Sequence, residues 1–422
     1  MQNKKSQTNA KPIRVLSIAS YDSFIRSNLL VSKVFRELGA SVEHALLNTR
    51  SNQITDQQIE LLGLSVDDVK KYNLDSLCEP EILAQYDVFL AALDGASFRR
   101  LFLRLESHAG PRPLIVALYP GLVLRYHFDG FSSRAPADFL WLNSKHDLSL
   151  YQSMCVALGA DSSNAHILGP TALLAPVERK HRQNGPIVFF EQAVIPRSIK
   201  ERQYLAQQLI LLACRYPERQ FLIKPRIKQN GTTLHRTKAH IEPLLRQAAS
   251  EIGTWPENLK VVFDPVERLL SISSHCLTIS STVAVEAIHA GVPTSILTDF
   301  GVHDDLGVQF FFKSDLACTF EALDFKRSNK PNQKWLALHV TDPNKTIKDL
   351  VRKVFSKTSE NRARKIQYRN TTPFYFSTDF RNHLKAKYTN DFIGKRSYKN
   401  QTLPPYLAKL LEILKRLLNR FK

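Results

Sequence analysis

Residues 276–301, CLTISSTVAVEAIHAGVPTSILTDFG, carry the pattern that decides the fold of this chain. An apolar run of strand length, Leu277–Ile279, precedes a helix-forming segment, Val283–Ala290, and a second buried strand, Thr294–Leu297, follows. A glycine and a proline stop the helix before that second strand begins. The stretch therefore predicts a strand–turn–helix–strand unit of a parallel sheet.

The turn of this unit is lined by three hydroxyl side chains, those of Ser280, Ser281 and Thr282. Free backbone N–H groups at a helix start, helped by the helix dipole, favour a bound phosphate. Glu286 lies four residues after Thr282 and is expected on the same helix face. The alternative is that the three hydroxyl residues only cap the helix.

Two further stretches share with this unit a resemblance to one family of proteins: FFEQAVIPRS at 189–198 and FLIKPRIKQNGTTLHRTKAHIEPLL at 221–245. SSTVAVEAIHAGVPTSIL, at 280–297, resembles the donor-site helix of GT-B glycosyltransferases, sugar transferases with two Rossmann-like domains. The run onward through LTDFGVHDDLG is similar to a poorly characterised bacterial family of surface-polysaccharide glycosyltransferases. The likeness covers about residues 185–315 well and the N-terminal half in outline. It implies a nucleotide-sugar donor and an acceptor of the capsule or lipopolysaccharide type.

The totals fit a globular protein of two domains with an extension, since the chain has 422 residues of which 43% are hydrophobic. Its five cysteines are scattered and form no CxxC pair, which predicts a reducing compartment and no zinc site. No apolar segment has the length of a membrane span, and no signal peptide is visible. We therefore expect a cytoplasmic protein, or one peripheral to the inner membrane.

The positive charge is concentrated in the last quarter of the chain. Residues 326–422 hold 24 Lys and Arg against 6 Asp and Glu, so they carry a net +18 of the total +19. Such an uneven charge distribution indicates that this region binds a partner or directs the protein to a location, and it carries little information about the fold.

Strands alternate with helices in two series, which predicts an α/β protein with two tandem Rossmann-like, doubly wound domains. A Gly- and Pro-rich basic stretch separates the series, and the polar residues 50–80 are expected to be an insertion. The predicted strands of the first series are Ile13–Ala19, Val42–Leu47, Asp87–Ala92, Leu114–Leu118 and Phe139–Leu142, and those of the second begin with Ile187–Phe190, Phe221–Lys224 and Leu259–Phe263. The predicted organisation is a disordered N-terminus (1–11), an acceptor domain (12–170), a linker (171–186), a donor domain (187–325), a basic helical extension (326–402) and an amphipathic basic helix (403–422).

Candidate donor-binding residues follow the strands of the second series, because ligands of parallel sheets bind at the carboxyl ends of their strands. Cations and hydroxyl groups there would stabilise the charge that builds on a leaving phosphate. The resemblance implies that Glu286 holds the donor ribose or sugar, and that His235 or His240 borders the cleft. The alternative for each charged residue is a solvated surface position. The predicted donor and phosphate-binding set is Gln192, Lys224, Arg226, Ser280, Ser281, Thr282 and Glu286.

An inverting transferase also needs a general base to deprotonate the acceptor hydroxyl. Asp94 is the first candidate, because it follows a predicted strand and precedes a glycine. Asp22, after the first strand, is the second, and His127 with Asp129 is the third. The alternative for each is a helix cap or a turn residue.

Neither a metal site nor a cofactor is predicted beyond the nucleotide-sugar substrate. The chain has no GxxxxGK[ST] or GxGxxG motif and no DxD triplet, so we expect a metal-independent enzyme. The nearest acidic pair, Asp304 and Asp305, is more typical of a helix start.

The last segment, YLAKLLEILKRLLNRFK at 406–422, has its large apolar residues on one helical stripe and basic residues beside it. This pattern is typical of an interfacial helix that binds anionic lipid. Docking on the protein's own core or on a partner is the alternative, whereas the segment has no nucleic-acid-binding module. The predicted membrane-contact residues are Leu407, Leu410, Leu411, Leu414, Lys415, Arg416 and Leu418.

The sequence thus favours a GT-B glycosyltransferase acting on a glycan or lipid-linked glycan acceptor. Two alternatives stay open: a nucleotide-sugar epimerase of the same fold, and a non-catalytic nucleotide- or glycan-binding subunit of a polysaccharide assembly complex.

Overall fold

The computed structural model describes residues 11–48, 54–60, 62–106, 108, 110, 112–124, 127–157, 159–177, 183–226, 239–302, 305–325 and 330–364. Nearly all of the predicted N-terminal segment lies outside these residues, as does the whole helix predicted over 403–422. Asp22 is described by its backbone alone.

The first domain is built on a parallel sheet in the order β3-β2-β1-β4-β5-β6-β7. Helices cover both faces of this sheet, whose central strands are wholly buried. Its strands are β1 (Arg14–Ala19), β2 (Ser41–Leu47), β3 (Val69–Tyr72), β4 (Val88–Ala92), β5 (Leu114–Leu118), β6 (Phe139–Leu142) and β7 (Ala165–Ile167). The accompanying helices are α1 (Asp22–Glu37), α2 (Asp56–Glu60), α3 (Leu74–Leu77), α4 (Pro80–Leu83), α5 (Gly95–Glu106), α6 (His127–Arg134) and α7 (Lys145–Ala157).

The five predicted strands of this domain are confirmed, but two edge strands were missed. β3 lies inside the predicted insertion 50–80, where it pairs in parallel with β2, so that part of the interpretation was wrong. Its two lysines, Lys70 and Lys71, are exposed, as is usual for an edge strand. Because of them, β3 has no continuous apolar run that would predict a strand. β7 has three half-buried residues and gives a similarly weak signal.

The second domain repeats the architecture with a sheet in the order β10-β9-β8-β11-β12-β13. The helix over 199–215 begins at a capping box formed by Ser198 and Glu201. The strands are β8 (Ile187–Phe190), β9 (Phe221–Lys224), β10 (Leu259–Val261), β11 (His275–Thr278), β12 (Thr294–Leu297) and β13 (Ala317–Cys318). The helices are α8 (Ile199–Arg215), α9 (Ile241–Ile252), α10 (Val266–Ile272) and α11 (Val283–His289).

Each sheet has a switch point, where the strand order reverses direction. In the first sheet it lies between β1 and β4, and in the second between β8 and β11. A crevice opens at such a point outside the carboxyl ends of the strands. The strand–turn–helix unit at 276–301 supplies β11, α11 and β12, so its turn stands at the second switch point.

After the second sheet the chain returns to the first domain through α12 (Gln333–His339) and α13 (Ile347–Arg364). α12 packs against α7, where the rings of His339 and His146 lie 4.5 Å apart. The buried side chains of Leu350 and Val351 on α13 join a core cluster that includes Phe35 of α1. The start of the basic extension is therefore part of the first domain's core.

Direct contacts hold the two domains together beside the cleft. Gln309 Nε2 donates a hydrogen bond of 2.7 Å to the carbonyl of Leu124. Gly307 has a φ of 75°, and a Cβ there would come within 3.1 Å of the Leu124 side chain. A glycine therefore permits this close approach of the two domains. Within the described ranges, no helix is both long and apolar enough to cross a bilayer.

Candidate active site

A cleft of about 570 Å³ lies between the two domains, where both switch points meet. The first domain contributes one face of α1 and the loop that follows β5. The second contributes the loops that follow β8, β9 and β11, together with one face of α11. Ligands of doubly wound sheets bind in this position.

The three residues of the hydroxyl turn at 280–282 make different contacts. Ser280 is buried and serves the turn itself, since its hydroxyl donates to the Leu306 carbonyl and its N–H donates to Gln192 Oε1 at 2.9 Å. Ser281 Oγ accepts from the N–H of Val283 at 3.3 Å. The Thr282 side chain makes no capping hydrogen bond. Ser280, Ser281 and Thr282 all line the cleft, and their role in binding phosphate stays a prediction.

Glu286 lies one turn into α11 and also lines the cleft, as its spacing from Thr282 predicts. Its side chain is buried, and burial raises the pKa of its carboxyl group although Arg26 and Arg226 act to lower it. These two arginines come from different domains. A carboxylate flanked by two cations at a switch point is a strong acceptor for hydroxyl groups of a ligand.

Arg226 follows β9 and lines the cleft, and its backbone is held by a buried ion pair. The Glu191 carboxylate accepts a hydrogen bond from the Arg226 N–H and contacts the Arg202 guanidinium. Arg202 also donates to the Ala239 carbonyl at 2.9 Å. The loop after β8 and the two ends of the β9–α9 connection are thereby fixed relative to one another.

Other predicted donor residues lie apart from the cleft lining. Lys224 Nζ donates to the carbonyl of Pro225 at 3.1 Å, and burial, with Arg226 nearby, lowers its pKa. His240 begins α9, where its Nδ1 accepts from the N–H of Glu242 at 3.3 Å. His235 lies outside the described residues.

The described side chains of the candidate bases do not line the cleft. The Asp94 carboxylate caps α5, accepting from the N–H of Ser97 at 3.0 Å and from its hydroxyl at 2.6 Å. The ring of His127 lies beside the Phe131 ring, with centroids 6.1 Å apart. Asp129 is paired with Arg99. The Asp22 side chain is outside the described part, and its neighbour in the chain, Ser23, lines the cleft.

The first domain contributes polar residues that the sequence reasoning missed. Ser23, Arg26 and Ser27 line the cleft from α1, and Gln58 lines it from α2. The i, i+3, i+4 spacing on the helix that follows the first strand was the available signal, because that helix starts beside the switch point. The residue predicted at the start of this helix was a candidate base, Asp22, and Arg26 was therefore missed.

The acidic pair considered for a metal is only half described. Asp305 is paired with Arg197 at 3.2 Å, and Asp304 lies outside the described residues. Among the side chains that the structure places, no group of three His, Cys, Asp or Glu is arranged to hold a metal ion. Metal independence stays a prediction.

Two doubly wound domains with a shared cleft at their switch points define the GT-B-like class of α/β proteins, and solved structures of this class match the chain. UDP-GlcNAc 2-epimerase from Methanocaldococcus jannaschii has a TM-score of 0.55 at 11% identity, covering 82% of this chain and 100% of that one. UDP-GlcNAc 2-epimerase from Neisseria meningitidis, bound to UDP-GlcNAc, gives 0.52 at 11%, covering 83% and 100%. The wall teichoic acid polymerase TagF gives 0.50 at 12%, covering 84% and 91%. These identities establish the fold alone.

The sequence itself places the chain in a family. A family model described as "Putative glycosyltransferase (DUF6716)" matches residues 15–355, which span both domains and the first half of α13. The chain belongs to this family. No curated protein matches it by sequence.

Proposed function

We propose that this protein is a glycosyltransferase that moves a sugar from a nucleotide-sugar donor to a surface glycan of the capsule or lipopolysaccharide type. The observation that carries the proposal is the convergence of Ser281, Thr282, Arg226 and Glu286 on one interdomain cleft. The family supports transfer, and the N. meningitidis structure of the same fold class binds UDP-GlcNAc.

The donor phosphate binds against Ser281, Thr282 and Arg226. A guanidinium group and hydroxyl donors in the cleft stabilise the charge that develops as the glycosidic bond breaks. Gln192 keeps the turn in place through its hydrogen bonds with Ser280. Lys224, outside the cleft lining, adds positive charge near Arg226.

Glu286 accepts hydroxyl hydrogen bonds from the ribose or the sugar of the donor. Its buried carboxylate lies one helical turn from the hydroxyl turn, which suits a group joined to the phosphate. Burial raises the pKa of this carboxyl group, and the two arginines act in the opposite direction, towards the ionised form that this role needs.

For the general base we now favour Asp22 over Asp94 and His127. Asp22 starts α1, whose next residue lines the cleft, whereas the Asp94 carboxylate is occupied by a helix cap. Leaving that cap would cost Asp94 about 1 kcal/mol. His127 would need to turn away from the Phe131 ring.

The acceptor is a glycan or lipid-linked glycan at the inner face of the membrane, where the segment 403–422 holds the protein on anionic lipid. The apolar stripe and the basic residues of that segment support this placement. The protein then works in the cytoplasm as a peripheral membrane enzyme.

Nucleotide titration of two variants tests the donor site. UDP, GDP, CMP and CDP are titrated calorimetrically against the parental chain, Arg226→Ala and Thr282→Val. Loss of a charge-assisted hydrogen bond should weaken binding of the preferred nucleotide by about 1.5–3 kcal/mol for Arg226→Ala, and by about 1 kcal/mol for Thr282→Val. Arg246→Ala, an exposed arginine on α9, is the control. Parental affinity in both folded site variants would remove this placement.

A further inference from the structure

Among the described side chains on the face of α1 that borders the cleft, one is charged. Ser23, Arg26, Ser27 and Leu30 follow at helical spacing, and all four line the cleft. Ser27 is engaged within the first domain, since its hydroxyl accepts from Thr171 at 3.0 Å. The Arg26 guanidinium instead reaches across to the second domain.

Arg26 contacts the carboxylate of Glu267, which stands in the first turn of α10. The two side chains remain 36% and 29% exposed, so water screens the pair and its net contribution to stability is small. Glu267 also keeps a favourable position without Arg26, because a carboxylate is stabilised in the first turn of a helix. The arginine can therefore change partners at little cost.

Arg26 is also close enough to Glu286 to act on its carboxylate, as Arg226 does from the second domain. Glu286 lies one turn after Ser281 and Thr282 on the same helix. A phosphate at that turn would share the cleft with one arginine from each domain, because Arg26 and Arg226 both line it.

We propose that Arg26 is a residue of the first domain that binds the donor phosphate directly, and that Glu267 is the resting partner which the phosphate displaces. The inference rests on the proposed nucleotide-sugar function and adds a role for the acceptor domain in donor binding. Binding of the phosphate then draws the two domains together, because its charge is shared by arginines from both.

Neutral substitutions of Arg26 and Glu267 should affect nucleotide affinity differently if Arg26 changes partner. With the tightest binder among UDP, GDP, CMP and CDP, Arg26→Gln should weaken binding about 10- to 100-fold, as expected for a lost charge-assisted hydrogen bond. Glu267→Gln should leave affinity unchanged or raise it several-fold, because it removes the competing carboxylate. Arg26→Lys, which keeps the charge, should recover part of the loss. The matching nucleoside, which has no phosphate, should bind all variants alike.

The control is Arg246→Gln, which removes an exposed arginine paired with Glu242 on α9 and should change nothing. Equal weakening by Arg26→Gln and Glu267→Gln would show a structural ion pair and overturn the inference, as would parental affinity in Arg26→Gln. If Arg226→Ala weakens binding while Arg26→Gln does not, the donor site stands and only this role fails. If neither variant changes affinity, or no nucleotide binds the parental chain, the proposed donor site fails as well.

Discussion

Two buried arginines, one in each domain, fix the loops that follow neighbouring strands. Arg134 donates to the carbonyls of Leu93 at 2.8 Å and Leu118 at 3.3 Å, just beyond β4 and at the end of β5. Arg202 contacts Glu191 in the loop that follows β8 and holds other loop carbonyls of its domain. The planar guanidinium group offers several donors in a fixed arrangement, which a lysine cannot reproduce. The cleft is therefore bordered by loops that are rigidly connected.

Asp147 offers a test of burial at a single residue. It is 2% exposed in the first turn of α7, and its Oδ1 has no hydrogen-bond partner among the described residues. Burial raises its pKa from 3.8 to about 6. The folded chain therefore binds this proton more tightly than the unfolded chain, and stability falls as pH rises from about 4 to 6.

Asp147→Asn should raise the free energy of unfolding at pH 8 by up to about 3 kcal/mol and change it little at pH 4. Urea unfolding at both pH values measures this. Asp138→Asn is the matched control, because that carboxylate is paired with Arg112 and its removal should destabilise the protein at pH 8. A loss of stability at pH 8 for Asp147→Asn would show that the ionised carboxylate has a stabilising partner.

Residues of the second domain that line the cleft could be found from sequence, because each follows a recognisable strand. Gln192, Arg226 and Thr282 are examples. For Arg26 the spacing on α1 indicates a place beside the first switch point, but only packing of the two domains brings it to the donor side. For Lys224 the sequence predicted the position at the end of β9 correctly, but not the direction of the side chain, whose Nζ donates to the Pro225 carbonyl. Their roles in binding remain predictions.

Among the elements, the central strands and long helices could be predicted from the sequence, whereas the edge strands could not. Strands such as β4 and β5 are buried along their whole length, so their apolar runs are unmistakable. The edge strands β3 and β7 are short and partly exposed, and pairing with a neighbour decides their structure. The return of α13 to the first domain also depends on tertiary packing, since its amphipathic pattern does not identify its partner.

The packing of α13 predicts a destabilising substitution far from the cleft. Leu350→Ala should lower the free energy of unfolding by about 2–5 kcal/mol, because it leaves a cavity in the core shared with Phe35. Arg352→Ala, on the exposed face of the same helix, should change it by less than about 0.5 kcal/mol. Urea unfolding measures both. Equal, small effects would mean that α13 contributes little to the first domain.

At the scale of the whole molecule, the basic C-terminal segment is expected to place the enzyme on a membrane. A chain truncated after Thr402 should no longer sediment with vesicles containing anionic lipid, and should keep its turnover on a soluble acceptor. Each basic residue near such a surface contributes about 1 kcal/mol. High salt should weaken binding of the full chain without abolishing it, because the apolar stripe is not screened.

Neutral vesicles provide the control for that experiment. Equal sedimentation of the full and truncated chains would contradict membrane binding through this segment. A large loss of thermal stability on truncation would instead show that the stripe packs against the protein itself.

Turnover should not require a divalent metal, because cationic side chains and hydroxyl groups are expected to stabilise the leaving phosphate. Activity in EDTA should equal activity in magnesium or manganese. Abolition by EDTA with recovery on adding either ion would contradict this expectation.

The fate of a labelled nucleotide sugar tests the central claim most directly. The parental chain is incubated with membranes that carry surface-glycan acceptor and with nucleotide sugars labelled in the sugar, beside the Arg226→Ala variant. The account predicts that the label moves to the glycan, that free nucleotide is released in equal amount, and that Arg226→Ala strongly reduces both. An epimerised nucleotide sugar with no transfer, or an unchanged donor after binding, would contradict it.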